Sequence, residues 1–444
     1  MIQRLLLLTK TRLQEGVRYS RVLRSVNAIL LTIRGLLSLN LAVRLCWLCR
    51  AYVVAEHAFL WESIACAVNL TCQTRGEREL DWRKTPNAAV YHRWQEIHPS
   101  VDRTAMPKAP RPDGEKGVLL STFEYNWLLM LADPEAFRAL CQAYNIVFST
   151  SWSPTDYHVL AQALIIAPGV TFWVQPCNLR ERAKIEAFHP RLKVLETMPC
   201  DWLNPEFFPQ KPFAERDIDL LMVSNWAPFK RHWALFNALR DLPASLRVVC
   251  IGQPDTGRTL DDIRRLQRLM GAPQEIEFLE RLPIEQVSAL QCRAKVGVIL
   301  SLWEGCCVAA AEALMAGSPL AMCENAHVGP LAYISEDTGV RLSRVPKAAE
   351  IARALKEAPQ RHPRAFAEGR LSYLVSTASL NEVLRVHELA AGRPWTQDLV
   401  PICWRPHPKI ASAADNERMA SAYAALHHQF PKVFPSDLQE ISQR

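Results

Sequence analysis

The stretch from residue 296 to residue 323, VGVILSLWEGCCVAAAEALMAGSPLAMC, constrains the fold more than any other part of this chain. Residues 296–301 are apolar and rich in β-branched side chains, which is typical of a strand buried on both faces. Residues 306–316 are dense in Ala, Leu and Glu and end in a Gly-Ser-Pro turn, which predicts a helix. Residues 319–323 predict a second strand. This order of strand, helix and strand indicates a parallel sheet.

Two carboxylates accompany this unit. In parallel sheets, ligands bind beyond the carboxyl ends of the strands, where helix N-termini offer free N–H groups to anions. Glu304 lies at that edge, and Glu312 lies about 12 Å further along the helix axis. The arrangement favours a nucleotide-sugar, whose hydroxyls would donate to the carboxylates while backbone amides bind its diphosphate. Two glutamates at this spacing are also common on helices without a function, so the rest of the chain decides between the two interpretations.

Length and composition predict a large globular protein with two or three domains, because the chain has 444 residues and 49% of them are hydrophobic. Its thirteen cysteines have no regular spacing, which favours a reducing, cytoplasmic environment over a disulfide-bonded secreted protein. Cys46 and Cys49 form a single CxxC inside an apolar helical stretch, and no second pair follows. We therefore expect neither a metal site nor a bound cofactor.

The positive charge is confined to the start of the chain. Residues 1–50 contain nine Lys or Arg and one Glu, whereas the other 394 residues carry a net charge of −1, and we expect no nucleic-acid partner. Residues 1–80 predict two or three amphipathic basic helices. They would lie on an anionic membrane surface or form a helical subdomain with solvated Arg side chains. The Arg-rich start is also similar to a mitochondrial transit sequence, but no signal peptide or transmembrane helix is evident.

Two alternating series of strands and helices follow the N-terminal segment. Residues 81–116, which include Trp82, Lys84 and Pro86, are polar and rich in Pro, which predicts a linker. The first series predicts a doubly wound sheet, and the Pro-rich and aromatic stretch 200–215 separates it from the second series. After residue 341 the chain is predicted helical to about residue 389 and then irregular.

Lys230 is the cation most suited to the same site. It follows the predicted strand 220–224 through a short loop and precedes a helix, where a positive charge opposes the helix dipole. A point charge on a flexible stem suits a diphosphate. The pair Asp217 and Asp219 forms a DxD, but it precedes its strand and lies at the wrong end for a metal site. No GxGxxG follows any strand, so an NAD-dependent Rossmann enzyme is the least favoured alternative.

Several of these motifs together resemble one family. Residues 217–342 are similar to the group-1 glycosyltransferases (glycosyltransferase family 4), which have the two-domain GT-B fold. The resemblance rests on VSNWAPFKR at 223–231, EGCCVAAAE at 304–312 and EALMAGSPLAM at 312–322, and on the stretch from Asp201 to Pro209.

The resemblance implies a GT-B protein with two tandem Rossmann-like domains, a cleft between them, and an additional basic helical segment. The implied boundaries are 1–80 for the helical segment, 81–116 for the linker, 117–210 for the acceptor-side domain, 211–390 for the donor-binding domain and 391–444 for a tail. The resemblance implies that Lys230 binds the donor diphosphate. Glu304 and the backbone amides after it would bind the donor sugar and its phosphates, and Glu312 would bind the ribose. The expected catalytic residues are Glu304 and Lys230, and the expected donor-binding set is Asn225, Lys230, Arg231, Glu304, Gly305, Cys306, Cys307, Val308 and Glu312.

The sequence also departs from the family pattern. Asn225 stands where the family has Arg, which leaves Arg231 as a substitute phosphate ligand, and Cys307 replaces a glycine. The sequence Ser-Thr-Phe-Glu at 121–124 replaces the family's Gly-rich loop, and His158 is an acceptor-side candidate by residue type alone. The expected function is transfer of a hexose from a nucleotide-sugar to a glycan or lipid-linked acceptor, with retention of configuration and without metal. The alternative is a catalytically silent GT-B protein that binds a glycan or acts as a scaffold.

Overall fold

The computed structural model describes residues 2–73, 88–98, 100–150, 154–405 and 407–443. Contacts divide the chain into two compact units, which we call unit I (Met1–Leu8 and Pro199–Ser376) and unit II (Thr9–Met198 and Thr377–Arg444). These divisions differ from the predicted boundaries, because most of the N-terminal helical segment and the C-terminal tail group with the first predicted sheet.

Thirteen strands and eighteen α-helices are present in the described residues. The strands are β1 (Thr104–Lys108), β2 (Gly117–Thr122), β3 (Tyr144–Ser149), β4 (Phe172–Gln175), β5 (Leu192–Val194), β6 (Ile218–Val223), β7 (Val248–Gly252), β8 (Ile276–Glu280), β9 (Ala294–Ile299), β10 (Leu320–Cys323), β11 (Gly339–Leu342), β12 (Ile402–Trp404) and β13 (Pro408–Ile410). The α-helices are α1 (Ile2–Arg18), α2 (Arg21–Leu36), α3 (Leu41–Val54), α4 (Ala58–Gln73), α5 (Ala88–Ile97), α6 (Glu124–Leu131), α7 (Pro134–Ala143), α8 (Tyr157–Ile166), α9 (Leu179–Phe188), α10 (His232–Leu239), α11 (Leu260–Met270), α12 (Ile284–Arg293), α13 (Val308–Met315), α14 (Ala348–Glu357), α15 (Pro363–Arg370), α16 (Tyr373–Ala390), α17 (Ala413–Gln429) and α18 (Leu438–Gln443).

Unit I contains a six-stranded parallel sheet in the order β11-β10-β9-β6-β7-β8. The chain adds β7 and β8 on one side of β6. It then returns and adds β9, β10 and β11 on the other side, so the strand order reverses between β6 and β9. This reversal is a topological switch point, where the connections after the two strands diverge and leave a crevice at their carboxyl ends. Apolar side chains from β6, β7 and β9 are fully buried in the sheet core; they include Ile218, Leu221, Val249, Ile251 and Ala294.

Unit II contains a five-stranded sheet in the order β1-β2-β3-β4-β5, in which only β1 is antiparallel to its neighbour. The two sheets confirm the predicted α/β class with two Rossmann-like sheets, as in the GT-B fold, and the basic N-terminal segment is helical as predicted. It forms four helices, α1 to α4. No helix in the described part of the chain is long and apolar enough to cross a membrane.

A buried lysine joins the N-terminal helices to the sheet of unit II. The Nζ of Lys184 on α9 donates to the carbonyl oxygens of Tyr52 and Val53, the latter at 3.0 Å, at the C-terminal end of α3. The hydroxyl of Tyr52 donates back to the Lys184 carbonyl at 2.5 Å. Burial lowers the pKa of Lys184 to about 7. These contacts make α3 part of the core of unit II.

Three predicted segments are corrected by the structure. The predicted linker 81–116 contains α5 and β1, while its residues 81–87, with Trp82, Lys84 and Pro86, lie outside the described residues. The predicted helix 127–144 is two helices, because Asp133 caps α7 and Pro134 occupies its first turn. The predicted irregular tail holds the β12–β13 hairpin, α17 and α18.

The tail folds because it contacts β1. The hydroxyl of Tyr423 on α17 accepts a hydrogen bond from the backbone N–H of Met106 at 2.8 Å. The hydroxyl of Ser442 on α18 donates to the carbonyl oxygen of Thr104 at 3.1 Å. Both pairs are more than 300 residues apart in the chain, so local sequence patterns do not reveal them.

Candidate active site

The candidate site of unit I lies beyond the carboxyl ends of β6 and β9, at the switch point of the sheet. A short 3-10 turn, Pro228–Lys230, leads from β6 to α10 and places Lys230 there. The connection from β9 to α13 places Glu304 at the same edge. The structure therefore brings together the two residues that the sequence selected as catalytic.

Lys230 and Glu304 form a direct ion pair. The distance between Lys230 Nζ and Glu304 Oε2 is 2.5 Å, and the Glu304 residue is only 8% exposed. Burial lowers the pKa of Lys230, but the charge of Glu304, the nearby Cys307, the hydrogen bond to Glu304 and the charge of Asp255 together outweigh burial, and the pKa is raised. The hydroxyl of Ser301 donates to the other carboxylate oxygen. The lysine therefore stays positively charged at neutral pH, in a position to meet an anionic group.

The backbone holds Glu304 in place. Its N–H donates to the carbonyl oxygen of His327 at 3.0 Å, and the N–H of His327 donates to the carbonyl of Leu302 at 2.8 Å. The rings of Trp303 and His327 meet edge to face, 4.6 Å apart. This bridge fixes the loop after β9 to the segment after β10.

The loop before Lys230 is packed against β7 and β8. The buried Trp226 donates through its indole N–H to Glu280 at 2.6 Å, and its ring lies over Gly252. A Cβ on Gly252 would lie 2.4 Å from the Ser224 carbonyl oxygen, so only glycine fits there. The side-chain amide of Asn225 donates to Asp255. Asn225 is thus held within the loop.

The side chain of Arg231, the predicted substitute phosphate ligand, is bound within unit I. It is buried, and its guanidinium donates to the carbonyl oxygens of Leu300 at 3.0 Å and Arg344 at 2.8 Å. The residue itself adopts the left-handed conformation, with φ 61° and ψ 40°. Arg231 therefore ties the segments after β9 and β11 together.

His232, which the sequence analysis did not select, lies directly behind Lys230. Its Nε2 is 3.2 Å from the Ser224 hydroxyl, and the residue is 2% exposed. Burial, followed by the charge of Lys230, lowers the pKa of His232 to about 3. The ring is therefore neutral under ordinary conditions. Its position after Lys230 at a helix start is the feature of the sequence that could have drawn attention to it.

The predicted diphosphate-binding amides lie on the turn into α13. Cys307, the residue that replaces a family glycine, has φ 46° and ψ 63° and is the N-cap of α13. The chain thus makes the left-handed turn that glycine would make more easily. The turn positions Gly305, Cys306 and Val308 at the N-terminus of α13. Burial raises the pKa of the Cys306 thiol to about 12, which disfavours a thiolate nucleophile.

Glu312 lies further along α13. It is half-buried, and one of its oxygens accepts a hydrogen bond from the Gln291 side chain on α12 at 3.3 Å. Glu304 lies in the loop before α13, so the separation of the two glutamates is not the helical spacing that was predicted from the sequence.

The DxD lies at the opposite edge of the sheet. Asp217 pairs with Arg247 and with Arg293, the latter at 2.5 Å, and Asp219 pairs with Lys295 at 2.8 Å. These contacts surround the amino end of β6. In the part of the chain that the structure describes, no group of three or more His, Cys, Asp or Glu side chains could hold a metal ion.

A known protein family is similar to the part of the chain that carries this site. Residues 204–363 match the family model described as Glycosyl transferases group 1. No curated protein sequence matches the chain.

Solved structures with a similar fold include Alr3699/HepE from Anabaena in complex with UDP, with 16% identity, a TM-score of 0.47, and 60% of this chain and 78% of that chain covered. They also include sucrose-phosphate synthase from Thermosynechococcus elongatus, with 16% identity, a TM-score of 0.46, and 62% and 74% covered. A glycosyltransferase from Rickettsia africae ESF-5 has 12% identity, a TM-score of 0.44, and 60% and 83% covered.

The segment matched by the family model contains the whole six-stranded sheet of unit I, with Lys230, Glu304 and Glu312 at its carboxyl edge or on the helix that follows. Residues 204–363 are therefore similar to the group 1 glycosyltransferases, and this similarity covers the sheet that carries the candidate site.

Proposed function

We propose that this protein transfers a hexose from a nucleotide-sugar to a glycan or lipid-linked acceptor, and that unit I binds the donor. The observation that carries the proposal is the Lys230–Glu304 pair at the switch point of a parallel sheet. Such a crevice is where α/β proteins bind nucleotides. A cation beside a carboxylate offers a partner for the diphosphate and an acceptor for the sugar hydroxyls.

In this proposal each residue has a separate task. Lys230 and the amides at Cys306 to Val308 stabilise the negative charge that develops on the leaving diphosphate. Glu304 accepts hydrogen bonds from hydroxyls of the transferred sugar, and Glu312 accepts them from the ribose. Glu304 also keeps the ammonium group of Lys230 in place before the donor arrives.

We further propose that transfer retains the anomeric configuration and needs no metal. The support for metal independence is that a charged lysine lies at the proposed phosphate position, whereas the two aspartates of the DxD are paired with Arg and Lys at the other edge of the sheet. Retention rests on the family resemblance alone.

Donor hydrolysis and product analysis test these proposals. The purified protein is incubated with UDP-glucose, UDP-galactose, UDP-N-acetylglucosamine and GDP-mannose, with Mn²⁺ or with excess EDTA. We expect one donor to be consumed at the same rate in both conditions, and proton NMR of the product to show the donor's anomeric configuration. Activity that depends on Mn²⁺, or an inverted product, would contradict the mechanism.

A catalytically silent protein that binds a glycan or acts as a scaffold is the second candidate. It is favoured by Asn225, which replaces the family's Arg and already donates to Asp255, and by the side chain of Cys307 at a glycine position. Calorimetric titration separates the two functions. A donor that binds but is never hydrolysed or transferred would favour the silent protein.

We also propose that the N-terminal helices bind an anionic membrane surface, so that the protein acts on the cytoplasmic face of a membrane. The support is the packing of α2, in which small side chains are buried and large apolar side chains are exposed to solvent. Its buried positions are the small residues Ala28 and Gly35, and Gly35 allows Leu48 of α3 to approach closely. Large apolar side chains occupy the outward face instead; the most exposed in and after the helix are Val22, Leu30, Leu36, Leu37 and Leu39.

The positive charge of the residues around α2 favours an anionic membrane surface as the partner of its exposed apolar face. Between residues 9 and 40 the chain has six Lys or Arg and one Glu. Exposed apolar side chains beside cations suit anionic lipid headgroups above an acyl boundary, because the apolar groups enter the boundary while the cations remain at the headgroups.

A further inference from the structure

Unit I contains a cavity of about 550 Å³ whose charged lining is mainly positive, and we call it the basic cavity. The segment before β6, the turn between α13 and β10, and the residues that lead into α15 form its walls. Four cationic side chains and one carboxylate line it, a formal excess of three positive charges; they are Lys211, Arg216, Arg361, Arg364 and Glu368. Residues 51–444 together carry a net charge of −1, so this excess is local. The volume lies in the range of cavities that bind small molecules.

The basic cavity lies at the amino ends of the strands, whereas the candidate active site lies at their carboxyl ends. Arg216 precedes β6, and its guanidinium donates to the carbonyl oxygen of Ala294, the first residue of β9, at 2.8 Å. Gly317, which also lines the cavity, lies in the turn before β10. A strand rises about 3.3 Å per residue, so the length of β6 separates the two ends by roughly 17 Å. The two sites are therefore distinct.

Two arginines fix the wall that the end of α13 contributes. Arg216 donates to the carbonyl oxygen of Ala316 at 2.9 Å, and Arg364 donates to that of Met315 at 2.5 Å. The partners of Arg216 are backbone carbonyls and the Ser318 hydroxyl, and no carboxylate in the described part of the chain pairs with it. Its positive charge therefore has no counter-ion, although the side chain is held rigidly. A cation that is already fixed loses little conformational entropy when it binds an anion.

Two other side chains have nitrogens available for a ligand. Lys211 is half-buried, and its ammonium group has no partner among the described residues. The side chain of Arg361 is only 11% exposed, and its Nε is buried without a hydrogen-bond partner in the described structure. Buried N–H groups are almost always paired, so this nitrogen indicates a missing acceptor.

Helix α15 adds to the positive field of the basic cavity. Pro363, Arg364 and Ala365 form its first turn and line the cavity, so the positive end of the helix dipole lies there. The one carboxylate of the lining, Glu368, pairs with Arg364 at 2.7 Å. The remaining positive charges are left for an anion.

Charge and volume together select the class of ligand. A phosphate monoester carries a charge of about −1.5 to −2 near neutral pH and offers three acceptor oxygens, which match several cations better than a single carboxylate does. Inorganic phosphate would fill only a small part of the cavity. Pro212, Phe213 and Pro359 also line it and provide apolar surface for the rest of a phosphorylated molecule.

We propose that the basic cavity binds the phosphate group of a small phosphorylated molecule. Lys211 and the Nε of Arg361 bind the phosphate oxygens, and Phe213 packs against the organic part. This site is independent of the proposed glycosyl transfer, because none of its residues belongs to the candidate active site.

Calorimetric titration of the full-length protein tests the proposal. The probes are glucose 6-phosphate, ribose 5-phosphate and glycerol 3-phosphate, with inorganic phosphate and glucose as references. We expect at least one ester to bind the wild type more tightly than inorganic phosphate, and glucose not to bind. Lys211→Glu should weaken binding of that ester about tenfold or more, since it replaces a cation at the phosphate by an anion. His362→Glu, at the exposed N-cap of α15, is a second variant that should also weaken binding.

Two controls locate the binding. Lys193→Glu changes the net charge by the same amount as Lys211→Glu, but Lys193 is exposed on β5 of unit II. Lys230→Ala removes the cation of the candidate active site. Both controls should bind the ester within about twofold of wild type, because neither side chain lines the basic cavity. Circular dichroism checks that each variant is folded.

The outcomes separate this inference from the proposed function. Wild-type protein that binds no ester more tightly than inorganic phosphate, or folded cavity variants that bind as wild type, would overturn the inference. Loss of ester binding in Lys230→Ala alone would assign the ester to the candidate active site and would overturn it as well. Ester binding that is lost in Lys211→Glu, in a protein without any donor turnover, would support the basic cavity and contradict the glycosyltransferase activity.

Discussion

Lys230 and Glu304 form the ion pair at the centre of the candidate site. Their 2.5 Å contact joins the loop after β6 to the loop after β9. A second Lys–carboxylate pair, Lys295 with Asp219, lies at the other edge of the same sheet at 2.8 Å. Both pairs join a lysine to a carboxylate, but only Lys230 and Glu304 lie at the switch point. A variant of Lys295 can therefore serve as a control for a variant of Lys230.

We expect Lys230→Ala and Glu304→Gln each to weaken donor binding or turnover by roughly tenfold to a hundredfold. A charge-assisted hydrogen bond to a buried group contributes about 1.5–3 kcal/mol, which corresponds to this range. Lys295→Ala is the matched control and should leave both quantities within about twofold of wild type. Calorimetry with the nucleotide diphosphate and steady-state kinetics measure the effects. Circular dichroism checks that the variants are folded. Unchanged turnover in both folded variants would contradict the assignment of Lys230 and Glu304 to the donor site.

Cys307 is strained at the turn into α13. An L-residue in the left-handed region costs roughly 1–2 kcal/mol that glycine does not. We therefore expect Cys307→Gly to raise the free energy of unfolding by about 1 kcal/mol, measured by urea denaturation. Asn325→Gly is the control, since Asn325 has φ 56° but asparagine tolerates this region better, and its gain should be smaller. Equal gains at both positions would contradict strain as the cause.

At the scale of elements, the hydrophobic pattern of α2 does not predict which of its faces is buried. Its sequence is amphipathic, but the small residues face α3 and the large apolar residues face outward. Exposing large apolar side chains to water is unfavourable, at about 25 cal/mol per Å². This orientation is therefore best explained by an occupant of that face.

We expect the double variant Ile29→Ser, Ile33→Ser to reduce flotation with vesicles of 30% phosphatidylglycerol at least tenfold. Ile29 and Ile33 are 48% and 49% exposed on α2, and each loses about 1.5–3 kcal/mol of apolar transfer energy. The control replaces Val386 and Leu389 on α16, which are 53% and 48% exposed, by Ser. Equal flotation of the two proteins would contradict membrane binding by α2. Conversion from a dimer to a monomer by the α2 variant alone, without any flotation, would assign the face to a second copy.

At the scale of the whole molecule, the pH dependence of stability reports on the interior of unit I. The pKa of His232 is about 3 in the folded protein, below the value of about 6.5 expected in the unfolded chain. Its contribution to stability is therefore fully present above about pH 6.5 and is lost as the pH falls towards 3.

We expect the free energy of unfolding of the wild type to fall more steeply than that of His232→Gln between pH 6.5 and 4. The difference in slope should approach ~1.4 kcal/mol per pH unit, because glutamine cannot take up the proton. Urea denaturation at several pH values measures it, and the comparison cancels the titration of carboxylates common to both proteins. Parallel curves would show that His232 is not buried as a neutral ring.

The sequence by itself determined most of the local elements of both sheets, although β1 lies in a predicted linker. Strong apolar runs and helix-ending turns placed β9, α13 and β10 close to their observed limits, and the order of elements put Lys230 and Glu304 at strand ends. Parallel strands can be connected in few ways, so local patterns were sufficient for this much. The motif resemblance then supplied the roles of these residues.

Only the tertiary structure decided what depends on contacts between distant segments. The direction of the Arg231 guanidinium follows from carbonyls more than 60 residues away, and the fold of the C-terminal tail follows from its contact with β1. The outward apolar face of α2 depends on which neighbours its side chains lack. Periodicity shows which face of a helix is apolar, but burial and hydrogen bonding are set by the partners that folding brings together.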